Sequence, residues 1–169
     1  MNTTTDANFL EPEAWFASLP TVYVAAGALI TDPGGQVLLV KPNYRDHWAM
    51  PGGICEHGES PHEGCARELL EELGLPIPVG PLLVVNWTAP EGERPKSMMH
   101  LVFDGGTLGD GTGIRLQYEE LDEYRFVEPT AVASYLPPYS APRVPAALRA
   151  RVGGTTIYLP SGEPYPASA

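Results

Sequence analysis

One short segment of the chain carries a complete set of signals for the start and the end of a helix. Ser60 is a favourable N-cap residue, Pro61 suits the first helical position, and Glu63 completes a capping box with Ser60. Gly74 and Pro76 then supply the stop signals. The pattern therefore predicts a helix from Ser60 to just before Gly74, and the rest of the fold must accommodate it.

The side chains of this helix separate into two faces when they are placed at about 100° per residue. The apolar face contains Ala66, Leu69, Leu70 and Leu73. The opposite face contains Glu68, Glu71 and Glu72. We expect the apolar face to pack on a sheet and the acidic face to border a cleft or solvent.

The clustered glutamates destabilise the helix locally. Each like-charge pair at i,i+3 or i,i+4 costs roughly 0.2–0.5 kcal/mol. Glu71 and Glu72 also lie in the last turn, where the helix dipole favours cations. The sequence shows no local compensation, so a divalent cation such as Mg²⁺, which prefers carboxylate oxygens and phosphates, is the functional interpretation. An ordinary solvated acidic face is the alternative.

Nine residues in this region match the fixed positions of the Nudix box, G-x5-E-x7-R-E-U-x-E-E-x-G-U, in which U is an apolar residue. They are Gly53, Glu59, Arg67, Glu68, Leu69, Glu71, Glu72, Gly74 and Leu75. The preceding segment, residues 48–52, is also similar to the usual approach to the box. The chain therefore resembles the MutT-like Nudix hydrolase family.

The resemblance implies a fold, a reaction and a metal. The fold class is α/β, with an α/β/α sandwich around a mixed β-sheet. The reaction is hydrolysis of a diphosphate linkage in a small nucleotide-like substrate, with Mg²⁺ or Mn²⁺ as cofactor. By position, Glu68 and Glu72 resemble the main metal ligands, and Glu71 resembles a third ligand or a general base. The backbone carbonyl of Gly53 resembles a further ligand.

Further residues are implied around this centre. Glu59 and Arg67 resemble the residues that brace the loop and orient the carboxylates, and we count Arg67 with the catalytic residues. Family members often add a carboxylate from outside the box, and the candidates are Glu119, Glu120 and Glu123. We prefer Glu120 as a catalytic residue; alternatively, all three are ordinary loop acids.

Three residues are candidates for substrate binding. Trp48 and Trp87 have aromatic faces that suit a nucleobase, and His57 lies in the loop of the box. The alternatives are core packing for the tryptophans and a solvated loop position for His57. His100 stands among apolar residues and is interpreted as structural. Pro90 lies 16 positions after Gly74, a spacing that resembles a marker of ADP-ribose-preferring members, although 19 prolines make coincidence an easy explanation.

The remaining periodicity and turn residues predict alternating strands and helices. Strands are expected at residues 21–30, 36–40, 82–87, 97–103 and 123–127, with a turn at 32–35 that makes the first two a hairpin. Helices are expected at 11–19, 128–135 and 144–152, and a Gly-rich surface loop at 104–113. We expect an N-terminal extension (1–20), a Nudix domain (21–136), and a Pro-rich segment with a helix (137–169) packed on the same domain.

Composition narrows the partners and the compartment. The formal net charge of −11, from 21 acidic and 10 basic residues among 169, argues against a duplex nucleic-acid binder. No apolar run is long enough to span a membrane, and residues 1–10 lack a secretory pattern, so we expect the cytoplasm. Cys55 and Cys65 are expected to be reduced structural thiols. A homodimer is an expectation from the family.

Two other functions are possible on the same fold. A non-catalytic nucleotide sensor would bind nucleotides without turnover, but it would not need three mutually repelling glutamates. An isomerase acting on isopentenyl diphosphate would need a further catalytic constellation, which Cys55 and Cys65 alone do not supply.

Overall fold

The computed structural model, which describes residues 10–109 and 113–160, is built on a mixed seven-stranded sheet. The strands are β1 (Tyr23–Thr31), β2 (Val37–Pro42), β3 (Gly52–Ile54), β4 (Leu82–Thr88), β5 (Met98–Thr107), β6 (Leu121–Val127) and β7 (Ile157–Leu159). Their order is β6-β2-β1-β5-β4-β7, and β3 pairs with β1. The pairs β1–β5 and β4–β7 are parallel, and the other pairs are antiparallel.

Helices cover both faces of this sheet. The helices are α1 (Pro12–Ser18), α2 (Pro61–Leu73) and α3 (Arg143–Gly153), and a 3-10 helix spans Pro129–Ser134. Leu69 and Leu73 of α2 pack in one core, whereas Val144 and Ala147 of α3 pack in the other. The predicted α/β/α sandwich around a mixed sheet is thereby confirmed.

The central strands alternate between these two cores. In β1, Leu29 belongs to the core under α3, and its neighbours Ala28 and Ile30 belong to the core under α2. In β2, Leu38 and Leu39 face opposite cores in the same way. A strand that is covered on both faces needs apolar residues at every position, which explains the continuous apolar sequence of these strands.

The ends of α2 agree with the sequence. The Ser60 hydroxyl accepts a hydrogen bond from the Glu63 N–H at 3.3 Å, and Glu63 Oε2 accepts one from the Ser60 N–H at 2.9 Å. Gly74 ends the helix in the left-handed conformation with φ 65°. The capping box therefore fixes where the first turn begins, and the glycine fixes where the last turn stops.

The predicted apolar face of α2 is wrong at two positions, Ala66 and Leu70, and Glu72 of the acidic face is more buried than a solvent-facing position would be. Ala66 is exposed and Leu70 is 51% exposed, whereas Glu72 is only 8% exposed. The buried positions are Gly64, Cys65, Leu69, Glu72 and Leu73. Burial of Glu72 is tolerated because the Gly52 N–H donates a hydrogen bond to its carboxylate at 2.8 Å. A tertiary contact from outside the helix thus decides which side of α2 faces inward.

Other differences lie at element boundaries. The expected helix at 128–135 is the 3-10 helix, and β5 extends through Thr107 into the Gly-rich segment. This extension suits glycine because a Cβ on Gly105 would lie 2.5 Å from Ile30 Cγ1. The strands β3 and β7 were not predicted. Residues 1–9, 110–112 and 161–169 lie outside the described part of the chain, so the expectations made there are not tested.

Several smaller expectations agree with the structure. The β1–β2 hairpin forms, and Asp32 accepts a hydrogen bond from the Gln36 N–H at 2.8 Å across its turn. Cys55 and Cys65 are free thiols. Within residues 10–109 and 113–160, no helix has the length and apolar character needed to cross a membrane.

Candidate active site

A cavity of about 540 Å³ opens where α2, the central strands and the start of α3 come together. Glu68 and Glu72 of α2, Glu120 from the loop before β6, His100 of β5 and Arg143 of α3 all line it. Its volume lies within the range of roughly 300–1,000 Å³ that is typical of small-molecule sites. The fold therefore brings acidic and basic residues from four parts of the chain to one concave surface.

Glu72 is the most deeply buried carboxylate of the cavity. Desolvation raises its pKa to about 8, the Gly52 N–H opposes this, and the negative charges of Glu68 and Glu120 raise the pKa further. A carboxylate in such surroundings is stabilised either by a proton or by a cation. The burial of Glu72 in the cleft that its helix borders is thus the main cause of its raised pKa.

Glu68 lies directly against the loop that begins the box. A Cβ on Gly53 would lie 2.4 Å from Glu68 Oε1, so a larger residue there would displace this carboxylate from its position. Burial raises the pKa of Glu68, and the Arg67 guanidinium opposes that shift. Gly53 therefore allows the Glu68 carboxylate to approach the backbone of this loop closely.

Arg67 joins three carboxylates on the acidic side of the cavity. Its Nε and Nη2 bind the two carboxylate oxygens of Glu59 at 2.8 and 3.1 Å. Its Nη1 donates to Glu68 Oε1 at 3.0 Å and to Glu71 Oε2 at 2.9 Å. The expectation that the acidic face lacks local compensation is therefore wrong, because Arg67 supplies a cation within the same helix. The bidentate pair with Glu59 also fixes the guanidinium in place.

Glu71 differs from the other two box glutamates of the helix. Its side chain is 49% exposed and pairs with Arg67, and it is not among the residues that line the cavity. Its predicted roles as a metal ligand or a general base stay predictions.

The three candidate acids outside the box occupy different surroundings. Glu120 lines the cavity and lies near enough to Glu68 and Glu72 to raise the pKa of both carboxyls. Glu123 pairs with Arg125 on β6, and Glu119 is exposed away from the cavity. The geometry thus favours Glu120, as the sequence did.

Of the three residues predicted to bind substrate, one lines the cavity and two do not. Trp48 lines the cavity, where its ring packs edge-on against Tyr135 at 5.7 Å and under the Arg125 guanidinium at 5.1 Å. The structure does not bring Trp87 or His57 to this cavity. Trp87 lies on β4 opposite Met99, and His57 is exposed beside a separate groove.

Several cavity residues were missed by the sequence reasoning. Arg143 is 9% exposed, and its Nε donates to Asn86 Oδ1 at 2.7 Å. Burial lowers the pKa of Arg143 to about 10. His100, interpreted as structural, also lines the cavity, and burial together with Arg143 and Arg94 lowers its pKa to about 3. Asn86 is a polar residue inside the apolar stretch of β4, which is the one sequence signal that could have indicated this region.

The carboxylates supply the right donor atoms for a hard divalent cation, but they are not assembled around one point. In the two described ranges, no group of three or more His, Cys, Asp or Glu side chains is arranged to hold a metal ion. Arg67 holds the Glu68 carboxylate, and the Gly52 N–H holds that of Glu72. A cation would therefore have to draw an exposed carboxylate, such as that of Glu120, toward these two.

Comparison with known proteins identifies the family. A family model for the NUDIX domain matches residues 22–148, so the chain belongs to the NUDIX domain family. The resemblance inferred from residues 53–75 is thereby confirmed.

Individual relatives cover less of the molecule. A Bacillus subtilis protein provisionally named ADP-ribose pyrophosphatase YjhB is 33% identical over 79 residues, or 46% of this chain and 38% of that protein. The chain spans between 38% and 58% of the length of the first curated relatives that it matches.

Solved structures match over more of the chain. A MutT protein from Methanosarcina mazei Go1 has a TM-score of 0.64 and 26% identity, over 80% of this chain and 96% of that chain. A UDP-X diphosphatase has a TM-score of 0.66 and 25% identity, over 89% of this chain and 76% of that chain. These similarities confirm the Nudix fold over most of the described residues.

Proposed function

We propose that the protein is a hydrolase that cuts a diphosphate linkage in a nucleoside diphosphate derivative with the help of a divalent cation. The observation that carries this proposal is the position of Glu68, Glu72 and Glu120 on one cavity, with Glu72 buried among them. Three carboxylates at such a place repel one another unless a proton or a cation is bound, and of these two only a cation would also attract an anionic substrate. A divalent cation would offset the repulsion among the carboxylates, and a diphosphate ester could then bind to that cation.

The donor set suits Mg²⁺, and Mn²⁺ as a substitute. We propose Glu68, Glu72 and the backbone carbonyl of Gly53 as ligands, with Glu120 as a mobile further ligand or base. Bound Mg²⁺ would neutralise charge on the diphosphate and make a coordinated water more acidic. The chain's own part is to hold the ligands: Arg67 orients Glu68, and the Gly52 N–H orients Glu72.

The proposed reaction is the attack of water on one phosphorus of the diphosphate. The new P–O bond forms to the water oxygen, the bridging P–O bond breaks, and its electron pair leaves with the second phosphate. Glu120 is the proposed acceptor of the proton from water, because its carboxylate lies on the cavity and is solvent-exposed. The products are a nucleotide and a phosphorylated second compound.

Among substrates, we place ADP-ribose first, ahead of dinucleoside polyphosphates and modified nucleotides. The provisional name of the B. subtilis relative supports this order. Pro90 gives weaker support: it is exposed, but Thr88 and Glu91 on either side of it line the cavity. Trp48 is the proposed stacking surface for a base.

The test is a panel of ADP-ribose, a diadenosine polyphosphate, a UDP-sugar and 8-oxo-dGTP, each incubated with protein and Mg²⁺. We expect hydrolysis of at least one compound, with two phosphorylated products identified by mass spectrometry. Full activity in excess EDTA would overturn the role of the cation. Saturable binding of a nucleotide without turnover of any compound would favour the sensor alternative.

The oligomeric state and the compartment stay predictions. The helix α1 contributes no buried residue and exposes Trp15 and Phe16 by 48% and 64%, which supports a proposed homodimer. Light scattering at micromolar concentration should give twice the monomer mass, and a monomer mass would reject the dimer. The cytoplasmic location expected from the sequence is a matter for cell fractionation.

A further inference from the structure

We propose that the end of the cavity around Arg143 is a subsite for a phosphate group that the substrate carries in addition to its scissile diphosphate. We call this end the Arg143 subsite and define it by Arg143, Asn86, His100, Tyr139 and His47. The inference rests on the proposed function, because it assigns a substrate class to the same cavity.

The guanidinium of Arg143 is incompletely satisfied. The side chain lines the cavity and is 9% exposed, and its Nε is held by Asn86. Its Nη2 is buried without a hydrogen-bond partner among the described residues. A buried polar atom without a partner costs about 1–3 kcal/mol, and more when the group is charged. The protein therefore maintains an unfavourable arrangement that a ligand atom would relieve.

The other partly buried arginines among the described residues have acceptors for both Nη atoms, and Arg94 donates from them to the carbonyls of Lys96 and Ala89. Arg67 pairs with three carboxylates, and Arg151 binds Asp104, Thr31 and the Leu29 carbonyl. Within the described residues, Arg143 forms no ion pair. Its buried Nη2 without an acceptor thus distinguishes Arg143 from Arg67, Arg94 and Arg151.

One further positive charge, that of Arg94, and two neutral imidazoles lie around Arg143. His100 feels the positive charge of both Arg143 and Arg94, and Arg94 also lines the cavity. His47 lines it too, with Nδ1 unpartnered and Nε2 hydrogen-bonded to the Tyr139 hydroxyl at 3.2 Å. Of the two unpartnered nitrogens, the Arg143 Nη2 always carries hydrogens and therefore calls for an acceptor group from the ligand.

Charge decides which acceptor fits best. The carbonyl of a nucleobase would satisfy one N–H but would leave the buried guanidinium without a counter-charge. A phosphate satisfies several donors at once and matches the planar guanidinium with two oxygens. The carboxylates of the acidic end need a cation before any phosphate can approach, whereas Arg143 does not. The two ends of the cavity therefore suit different phosphates of one substrate.

The experiment uses probes that contain no phosphoanhydride bond, so that binding is independent of hydrolysis. AMP, adenosine 2′,5′-bisphosphate and adenosine 3′,5′-bisphosphate are titrated in the presence of Mg²⁺ by isothermal titration calorimetry, so that the 5′-phosphate can approach the acidic end. We expect at least one bisphosphate to bind about tenfold more tightly than AMP, as a charge-assisted pair with one arginine would give. Equal affinities for AMP and both bisphosphates would overturn the subsite.

Two variants and one control assign the effect. Arg143→Met should abolish the preference for the bisphosphate and leave the affinity for AMP within about twofold. Asn86→Asp places a carboxylate where Asn86 already accepts the Arg143 Nε–H, and it should abolish the same preference without removing the arginine. Arg149→Met, on an exposed position of α3, should retain it. A preference that survives in both Arg143→Met and Asn86→Asp would contradict the proposal.

The outcomes separate this proposal from the proposed function. If the bisphosphate preference depends on Arg143 but no panel compound is hydrolysed, the subsite stands and the hydrolase proposal fails. If compounds are hydrolysed but the preference is absent, the subsite alone fails. Discrimination between GMP and AMP that disappears in Arg143→Met, without a bisphosphate preference, would show base recognition instead and would reject the phosphate.

Discussion

The acidic end of the cavity, at Glu68 and Glu72, and its basic end, the Arg143 subsite, differ in how their buried charges are partnered. At the acidic end, Glu68 is tied to Arg67 and Glu72 to the Gly52 N–H, so each carboxylate has a partner within the protein. At the basic end, Arg143 is held through Nε while its Nη2 has no partner in the described residues. The side chains of the acidic end are held in place by the protein itself, whereas the guanidinium of the basic end lacks one partner that a ligand could supply.

Because of this difference, substitutions at the two ends should have different effects on catalysis, folding and binding. A braced carboxylate keeps its position whether or not a ligand is present, so variants there should affect turnover more than folding. An unsatisfied guanidinium destabilises the free protein, so its replacement can be neutral or favourable for folding while it weakens binding. The following predictions test this contrast, beginning with the largest expected effect.

Glu72→Gln should lower kcat/KM by about 10³-fold, within the range of 10²–10⁴ associated with loss of a central catalytic group. The substitution preserves shape and can still accept the Gly52 N–H, so the fold should be retained. Steady-state kinetics with the best panel substrate measure the loss, and circular dichroism checks the fold. A folded variant with activity within threefold of the wild type would contradict the catalytic role of the acidic end.

Arg67→Met should lower kcat/KM by roughly 10–100-fold, the usual effect of removing a residue that orients metal ligands. The loss follows because Glu59 and Glu68 lose their shared partner. Arg115→Met is the matched control, since Arg115 is exposed and away from the cavity. If both variants lose activity equally, the bracing network is not what supports catalysis.

Glu120→Gln should reduce kcat by about tenfold or more, because a positioned base contributes at least 10²-fold and water can replace part of it. Glu119→Gln makes the same chemical change one residue away, outside the cavity, and should leave kcat unchanged. Because both variants lose one carboxylate charge, a difference in kcat between them reports the position of the carboxylate and not the loss of charge. Equal kcat values for Glu119→Gln and Glu120→Gln would indicate that Glu120 is an ordinary loop acid without a catalytic role.

His100→Gln should change the dependence of stability on pH by about 1–2 kcal/mol between pH 7 and pH 5. Burial, Arg143 and Arg94 lower the pKa of His100 from 6.5 to about 3, so the unfolded chain takes up a proton below pH 6.5 that the folded protein does not. The wild type therefore loses stability as the pH falls through this interval, and the variant should lose less.

Urea unfolding at several pH values measures this difference. His57→Gln serves as the control, because His57 is exposed and remote from the cavity. Identical pH slopes for the wild type and His100→Gln would mean that the basic end does not keep this imidazole neutral.

The same contrast explains how much could be predicted from the sequence. The acidic end lies within 23 consecutive residues, from Gly53 to Leu75, so helix geometry and fixed spacing place its side chains. The basic end joins β4, β5 and α3, whose contacts depend on the completed sheet. No local pattern brings Asn86 and Arg143, 57 positions apart, to 2.7 Å.

The helices and strands, too, were predictable where the signal is local in the sequence and not where it depends on tertiary contacts. The strands with continuous apolar sequence and the capped helix α2 were predicted within a few residues. The short strands β3 and β7 were missed because their three residues each gain order from the neighbouring strand rather than from their own sequence. The apolar face of α2 was misassigned at Ala66 and Leu70, because the buried side of the helix includes Cys65 and Glu72 instead.

The central claim is that Glu68 and Glu72 hold a divalent cation, and Mn²⁺ binding followed by electron paramagnetic resonance tests it most directly. The titration is made without substrate on the wild type, on the double variant Glu68→Gln/Glu72→Gln, and on Glu119→Gln. The account predicts a saturable Mn²⁺ site in the wild type and in Glu119→Gln, and its loss, by tenfold or more in affinity, in the double variant. Equal Mn²⁺ binding by all three proteins would contradict it.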